Sequence, residues 1–163
     1  MATSFSVPID AFLRRVEKDR DYFRYFELTD EDAMALAESR ANVYLHEAAA
    51  RMMIDGKPTV DLLDMDDDLE LFNIDLTSQE VFIIAWIMFE MYMSRDIAQI
   101  KLQNVNFTPT ELRVFSPNDA RTTFQSLYES VCQKNIDFLD TYKNTDRLTG
   151  EYRGITYSNY DEE

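Results

Sequence analysis

Apolar residues recur at helical spacing through most of the chain, and helix-start signals break the pattern into about four long segments. The first is predicted to start near Pro8, in a first helical turn, and to run to about Phe26 with Ile9, Phe12, Leu13, Val16, Tyr22 and Phe23 as its apolar side. The second starts at Leu28-Thr29-Asp30-Glu31-Asp32. Thr29 is suited to cap free N–H groups, and the three acids match the positive end of the helix dipole. It is expected to reach Ile54 or Asp55, with Gly56 as the residue after the helix, in the place that favours a left-handed backbone. Met34, Ala37, Ala41, Leu45, Ala48 and Met52 would face the core, and Glu47 and Arg51 would pair one turn apart on another face.

The third segment carries the least polar part of the chain. Thr77-Ser78-Gln79-Glu80 has the reciprocal capping pattern and predicts a helix to about Leu102. Apolar residues fill nearly every position from Val81 to Met93, a run of about 13 residues, short of the ~20 that a membrane span needs. Glu90 lies inside the run, and Arg95 and Asp96 close it, so the prediction is a central helix buried on most of its circumference. The fourth segment starts at Ser116-Pro117-Asn118-Asp119, with Ser116 as cap and Pro117 at the first helical position. Phe124, Leu127, Tyr128, Val131, Ile136, Phe138, Leu139 and Tyr142 carry its buried side to about Lys143. Residues 57–76 read as a loop with at most a short helical turn, and residues 103–115 as irregular or briefly extended around Pro109.

The pattern therefore predicts an all-α, single-domain helical bundle of about four main helices over residues 1–143. An acidic loop and an extended C-terminal tail, residues 144–163, complete it. The tail has no long amphipathic period, but Tyr152, Ile155, Tyr157 and Tyr160 make it aromatic enough to order against a neighbour.

Composition supports this reading. The chain has 163 residues, 45% of them hydrophobic, which is enough for one core. Three glycines and four prolines are too few for a turn-rich sandwich or barrel. Charge narrows the partners: a formal net charge of -15 repels nucleic acid and anionic membrane and attracts basic partners, besides conferring solubility. The charge is uneven. Residues 61–80 hold Asp61, Asp64, Asp66, Asp67, Asp68, Glu70, Asp75 and Glu80, whereas Arg14, Arg15, Lys18, Arg20 and Arg24 make the first helix locally basic. A single cysteine, Cys132, fits a reducing compartment. MATSFSVPIDAF lacks the basic and apolar regions of a secretory signal, so none is expected there.

Signs of chemistry are sparse. Asp64, Asp66 and Asp68 open like a calcium loop, with Asp75 at the twelfth position. The sixth position is Leu69, where the sharp turn needs glycine, and Asp75 is short for bidentate binding. His46 is the only histidine and has only Cys132 as a second soft ligand, which is too few for zinc. No Glu-x-x-His pair, nucleophile elbow, phosphate loop or dinucleotide glycine signature is present. Trp86, Met88, Met91 and Met93 at helical spacing read as core filler rather than a cofactor box. The expectation is a non-enzymatic protein with no cofactor and no metal.

The run Phe72-Asn73-Ile74-Asp75-Leu76-Thr77-Ser78-Gln79-Glu80 with the apolar helix behind it, then Asn106-Phe107, then Phe115-Ser116-Pro117-Asn118-Asp119-Ala120 and a long helix to Tyr142, resembles the head–tail connector, or adaptor, proteins of tailed bacteriophages. The likeness spans roughly residues 70–143. It implies an all-α subunit in a ring of about twelve copies beneath the portal protein, extending the DNA channel toward a stopper or tail-completion protein. It implies no catalytic residues, DNA that passes without specific binding, no membrane, and a place at the head–tail junction of the virion after assembly in the host cytoplasm. It also implies a C-terminal segment that reaches into the portal, for which Tyr152, Ile155, Tyr157 and Tyr160 are the candidates.

The charge pattern suits such a ring. A cyclic interface joins two different patches on each subunit, and Arg14, Arg15 and Lys18 could meet the acidic loop of a neighbour. Asp66, Asp67 and Asp68 are candidate channel-facing acids that repel passing phosphates within a screening length of about 8 Å. Three other readings compete: an acidic protein that mimics DNA and blocks a host DNA-binding enzyme, a calcium- or magnesium-responsive module on residues 64–75, and a helical enzyme with no identifiable site.

Overall fold

The computed structural model describes residues 2–16, 29–106 and 117–153. Among them are four α-helices: α1 (Ser6–Val16), α2 (Asp30–Arg51), α3 (Ser78–Asn106) and α4 (Pro117–Lys143). The all-α bundle expected from the pattern is present, with α3 packed against α1, α2 and α4. The continuation of the first helix to Phe26, with Lys18 and Tyr22, lies outside the described residues, as do 107–116 with Ser116.

The caps form as their chemistry requires. Thr29 accepts the Asp32 N–H at 3.2 Å and donates its hydroxyl to the Asp32 carboxylate at 2.7 Å. At the start of α3 the bond pair is reciprocal: Glu80 N–H to Thr77 Oγ1 at 3.2 Å, and Thr77 N–H to Glu80 Oε2 at 2.7 Å. Each backbone N–H bonded in this way is one that the helix itself leaves without a partner.

The apolar stretch of α3 fills the core. Ile83, Ile84, Ala85, Ile87, Met88, Tyr92 and Met93 are buried among Phe12, Val16, Ala41, Leu45, Ala48 and Met52. Among the described residues no helix is long and apolar enough to cross a membrane. The periodicity misassigns three apolar positions: Met34 on α2 and Leu127 and Ile136 on α4 are exposed. With about three apolar positions per two turns already meeting α3, their places on the helices face outward.

Two local expectations are corrected. α2 does not end at a left-handed Gly56. It continues as a π-helical turn, Met52–Gly56, and the left-handed residue is Lys57 (φ 46). Gly56 is needed for space instead: a Cβ there would stand 3.2 Å from Leu139 Cδ2 and 3.5 Å from Met52 Cγ and Tyr142 Cδ1. Arg51 does not pair with Glu47. Its Nη1 lies 2.7 Å from Glu90 Oε1 on α3, and its Nε lies 3.4 Å from Asp55 Oδ2. A buried carboxylate attracts the cation more strongly than an exposed one on the same helix does.

The segment 57–76 also differs from a plain loop. Strands β2 (Met65–Asp66) and β3 (Leu71–Phe72) form an antiparallel hairpin, and β1 (Thr3–Ser4) adds on the other edge, giving the order β1-β3-β2. Thr3 pairs with Phe72 and Ser4 with Leu71, while Phe72 also faces Met65. The Thr3 hydroxyl oxygen accepts the Leu76 N–H at 2.9 Å, which ties the start of the chain to the approach to α3. Phe5 and Phe72, both buried, meet edge to face at 5.1 Å and anchor the sheet to the bundle.

Candidate interaction surfaces

The acids expected to face a channel sit at the hairpin tip. Asp66 shapes the turn between the two strands. Its Oδ1 accepts the N–H groups of Asp68 (3.1 Å) and Leu69 (3.0 Å) and so closes that turn. Glu70 completes the turn in a left-handed conformation, φ 51. Asp67 and Asp68 are exposed, and Leu69 between Asp68 and Glu70 is 67% exposed. Asp67 Oδ1 stands 3.4 Å from His46 Nε2 on α2, and the imidazole meets Phe5 edge to face at 5.6 Å. His46 thus braces the tip against the bundle.

The same turn accounts for the calcium-like spacing. Asp64 Oδ1 accepts the side-chain amide of Asn73 at 2.7 Å, and Asp66 is committed to backbone N–H groups. Among the described residues no group of three or more His, Cys, Asp or Glu side chains is arranged to hold a metal ion.

The basic residues of α1 separate. Arg14 is exposed, Arg15 is half-buried, and Lys18 lies outside the described residues. The Arg15 guanidinium lies over the Trp86 ring, 4.3 Å from its centroid, and 5.0 Å from that of Phe82. Burial pushes its pKa below the ordinary arginine value. Lys134 Nζ from α4 lies 5.6 Å from the Trp86 ring. Phe138 closes the cluster, 5.4 Å from Phe82 and 6.0 Å from Trp86. The result is an aromatic patch with two cations where α1, α3 and α4 meet, and Phe82 in it is 43% exposed. Two N–H donors, Arg15 Nε and Trp86 Nε1, are buried there without a hydrogen-bond partner among the described residues.

The third surface is the start of the C-terminal segment. Residues 144–153 fold back on themselves rather than running extended. Thr145 bridges Tyr152, the Arg153 N–H donates to Asn144 O at 2.8 Å, and Gly150 turns with φ 71. Asp146 holds the turn by accepting the N–H groups of Leu148 and Thr149 at 2.9 and 3.0 Å. The Thr149 bond, then the Leu148 bond, lower its pKa. Tyr152 is exposed, whereas Ile155, Tyr157 and Tyr160 lie outside the described residues.

Arg147 fastens this strap. Its Nε donates to Glu80 Oε1 at 2.6 Å, its Nη2 donates to Glu80 Oε2 at 3.0 Å, and Nη2 also reaches the Asp75 carbonyl. Tyr142 donates its hydroxyl to the same Glu80 oxygen at 2.6 Å. Glu80 is 0% exposed. Burial alone would raise its pKa, but the hydrogen bonds from Arg147, Tyr142 and the Thr77 N–H outweigh it and hold the carboxyl below the ordinary value. Burial and the bond to Glu80 push the Tyr142 hydroxyl well above its usual range.

A second buried carboxylate lies further along α3. Glu90 faces Arg51 and accepts the Asn135 side-chain amide at 2.7 Å, while that amide also reaches Trp86 O at 3.1 Å. Beside it, burial and the neighbouring Cys132 and Glu90 push the Tyr128 hydroxyl to about 12. Burial likewise raises the Cys132 thiol. Glu80 is legible in the sequence only as a capping residue, and Glu90 only as an acid inside an apolar run. That second signal already demands a buried partner, but not which arginine supplies it.

Compared with known proteins, the chain matches no family model, no curated protein and no solved structure.

Proposed function

We propose that the protein is a structural, non-enzymatic subunit of a phage head–tail connector, assembled as a ring of about twelve copies on the portal. The observation that carries the reading is the fastening of residues 144–153 to the bundle by Arg147, Glu80 and Tyr142. It gives the aromatic stretch beyond Arg153 a fixed departure point, as a docking arm requires. A second support is the division of charge: an acidic hairpin tip on one part of the subunit, a cationic aromatic patch on another. Two unlike patches are what a cyclic assembly uses.

The buried polar clusters fit a scaffold better than a reaction centre, because each carboxylate in them is already bonded to an arginine and a neutral donor. Electron microscopy of the protein mixed with portal protein tests the proposal. Rings seated on the portal, lost when the chain is cut after Arg153, are the expected result. Failure to bind portal, with tight salt-sensitive binding to a basic DNA-binding enzyme instead, would replace the reading with that of a DNA mimic.

A further inference from the structure

We propose that the aromatic–cationic patch formed by Arg15, Phe82, Trp86, Lys134 and Phe138 receives the acidic hairpin tip of a second copy of this chain. The inference rests on the ring reading above and names the contact that would build the ring.

Two features of the patch call for a ligand. Its aromatic surface is only partly covered, with Phe82 43% exposed and Trp86 and Phe138 half-buried. Its two cations, Arg15 and Lys134, face rings and have no carboxylate partner among the described residues. A matching ligand has an apolar side chain flanked by carboxylates.

The hairpin tip is that ligand. Asp67, Asp68, Leu69 and Glu70 place one prominent apolar side chain among three acids, and the Asp66 turn together with the His46 contact holds them in position. Leu69 would cover Phe82 and Phe138, while the carboxylates meet Arg15 and Lys134. In a chain of net charge -15, this pairing brings the acidic tip to a cationic place on the subunit.

The tip of one copy and the patch of the next are different surfaces, so the contact is heterologous and propagates to a ring or filament. It is also small. A four-residue tip buries far less than the roughly 1,600 Å² of a standard interface. Association in free solution is therefore weak, and it tightens when copies are held side by side on a scaffold, where effective concentration replaces affinity.

Cross-linking of single-cysteine variants tests this, with Cys132→Ser as background. Copies carrying Asp68→Cys are mixed with copies carrying Lys134→Cys and treated with a short bis-maleimide. The mixed pair is expected to link at least about threefold faster than Asp68→Cys mixed with Glu38→Cys on the exposed face of α2. Leu69→Asp in the tip copy, or about 1 M salt, is expected to remove the excess. Equal rates at the two positions, or an excess that survives Leu69→Asp, would overturn the inference. So would a faster link from Lys134→Cys to a cysteine added after Glu163, which would make the acidic C-terminus the occupant. Rings on the portal without the Asp68–Lys134 link would refute this contact and leave the connector reading standing. The link without portal binding would do the reverse.

Discussion

Replacing Arg147 by alanine isolates the bond that fastens the C-terminal strap. The change removes both guanidinium bonds to Glu80 and leaves a fully buried carboxylate with only the Tyr142 hydroxyl and the Thr77 N–H. Breaking one partner of a buried ion pair costs about 3–5 kcal/mol. Two neutral donors remain and the site lies at the edge of the bundle, so the expected loss is about 3 kcal/mol, at the low end of that range. For a chain of this size that lowers Tm by about 6–12 °C.

The loss is also expected to depend on pH. In the native protein the Glu80 pKa lies below its ordinary 4.5. The stability it contributes is complete above the unfolded value and is lost as pH falls through the folded value. Without Arg147 the balance tips toward burial, which raises the folded pKa, so protonation then favours the folded variant. The gap between native and Arg147→Ala should narrow from pH 7 to pH 4.5. Relief of general charge repulsion on acidification is common to both proteins and cancels in the difference. Urea unfolding at the two pH values provides the measurement. A loss under about 1 kcal/mol at pH 7 would place the contact among ordinary surface pairs. That result, or a gap that does not change with pH, would refute the reasoning.

Other consequences follow from the same contacts. Arg51→Ala should cost roughly 2 kcal/mol in urea unfolding, below the buried-pair range because the arginine side chain keeps 27% exposure. Combining it with Glu90→Gln should cost less than the two single losses added. Tyr128, with its hydroxyl raised to about 12, binds its proton more tightly when folded. Its contribution is whole below pH 10 and is lost as pH rises toward 12, so Tyr128→Phe should flatten the alkaline fall in stability over that window. The raised thiol of Cys132 should react with iodoacetamide at pH 8 more slowly than a free cysteine, and unfolding in urea should remove the difference. Thr77→Ala, which deletes the cap on Glu80 N–H, should cost about 1 kcal/mol.

Local chemistry is legible in the chain itself. Thr29, Thr77 and Glu80 were recognisable as helix starts because a cap bonds within three residues. The burial of most of Val81–Met93 was legible because so dense an apolar run, too short for a bilayer, belongs in a core; the exposure of Phe82 within it was not. Exposure of Leu127 and Ile136 was not, because an apolar residue at helical spacing does not reveal how far round the helix its neighbours extend.

What only the tertiary structure decided is which distant groups meet. The third strand comes from Thr3–Ser4, far along the chain from the hairpin it completes. Strands of two residues carry no alternation to read. Arg51 abandons Glu47 for Glu90, and Arg147 becomes the counter-charge of Glu80, because an enclosed carboxylate selects its partner by position in space. Arg15, an ordinary surface base by sequence, lies over Trp86 because α1 crosses α3 there. Backbone hydrogen bonding and short-range capping act between neighbours in sequence and can be read from it. Desolvation and Coulomb attraction act between neighbours in space, which exist only once the helices have packed.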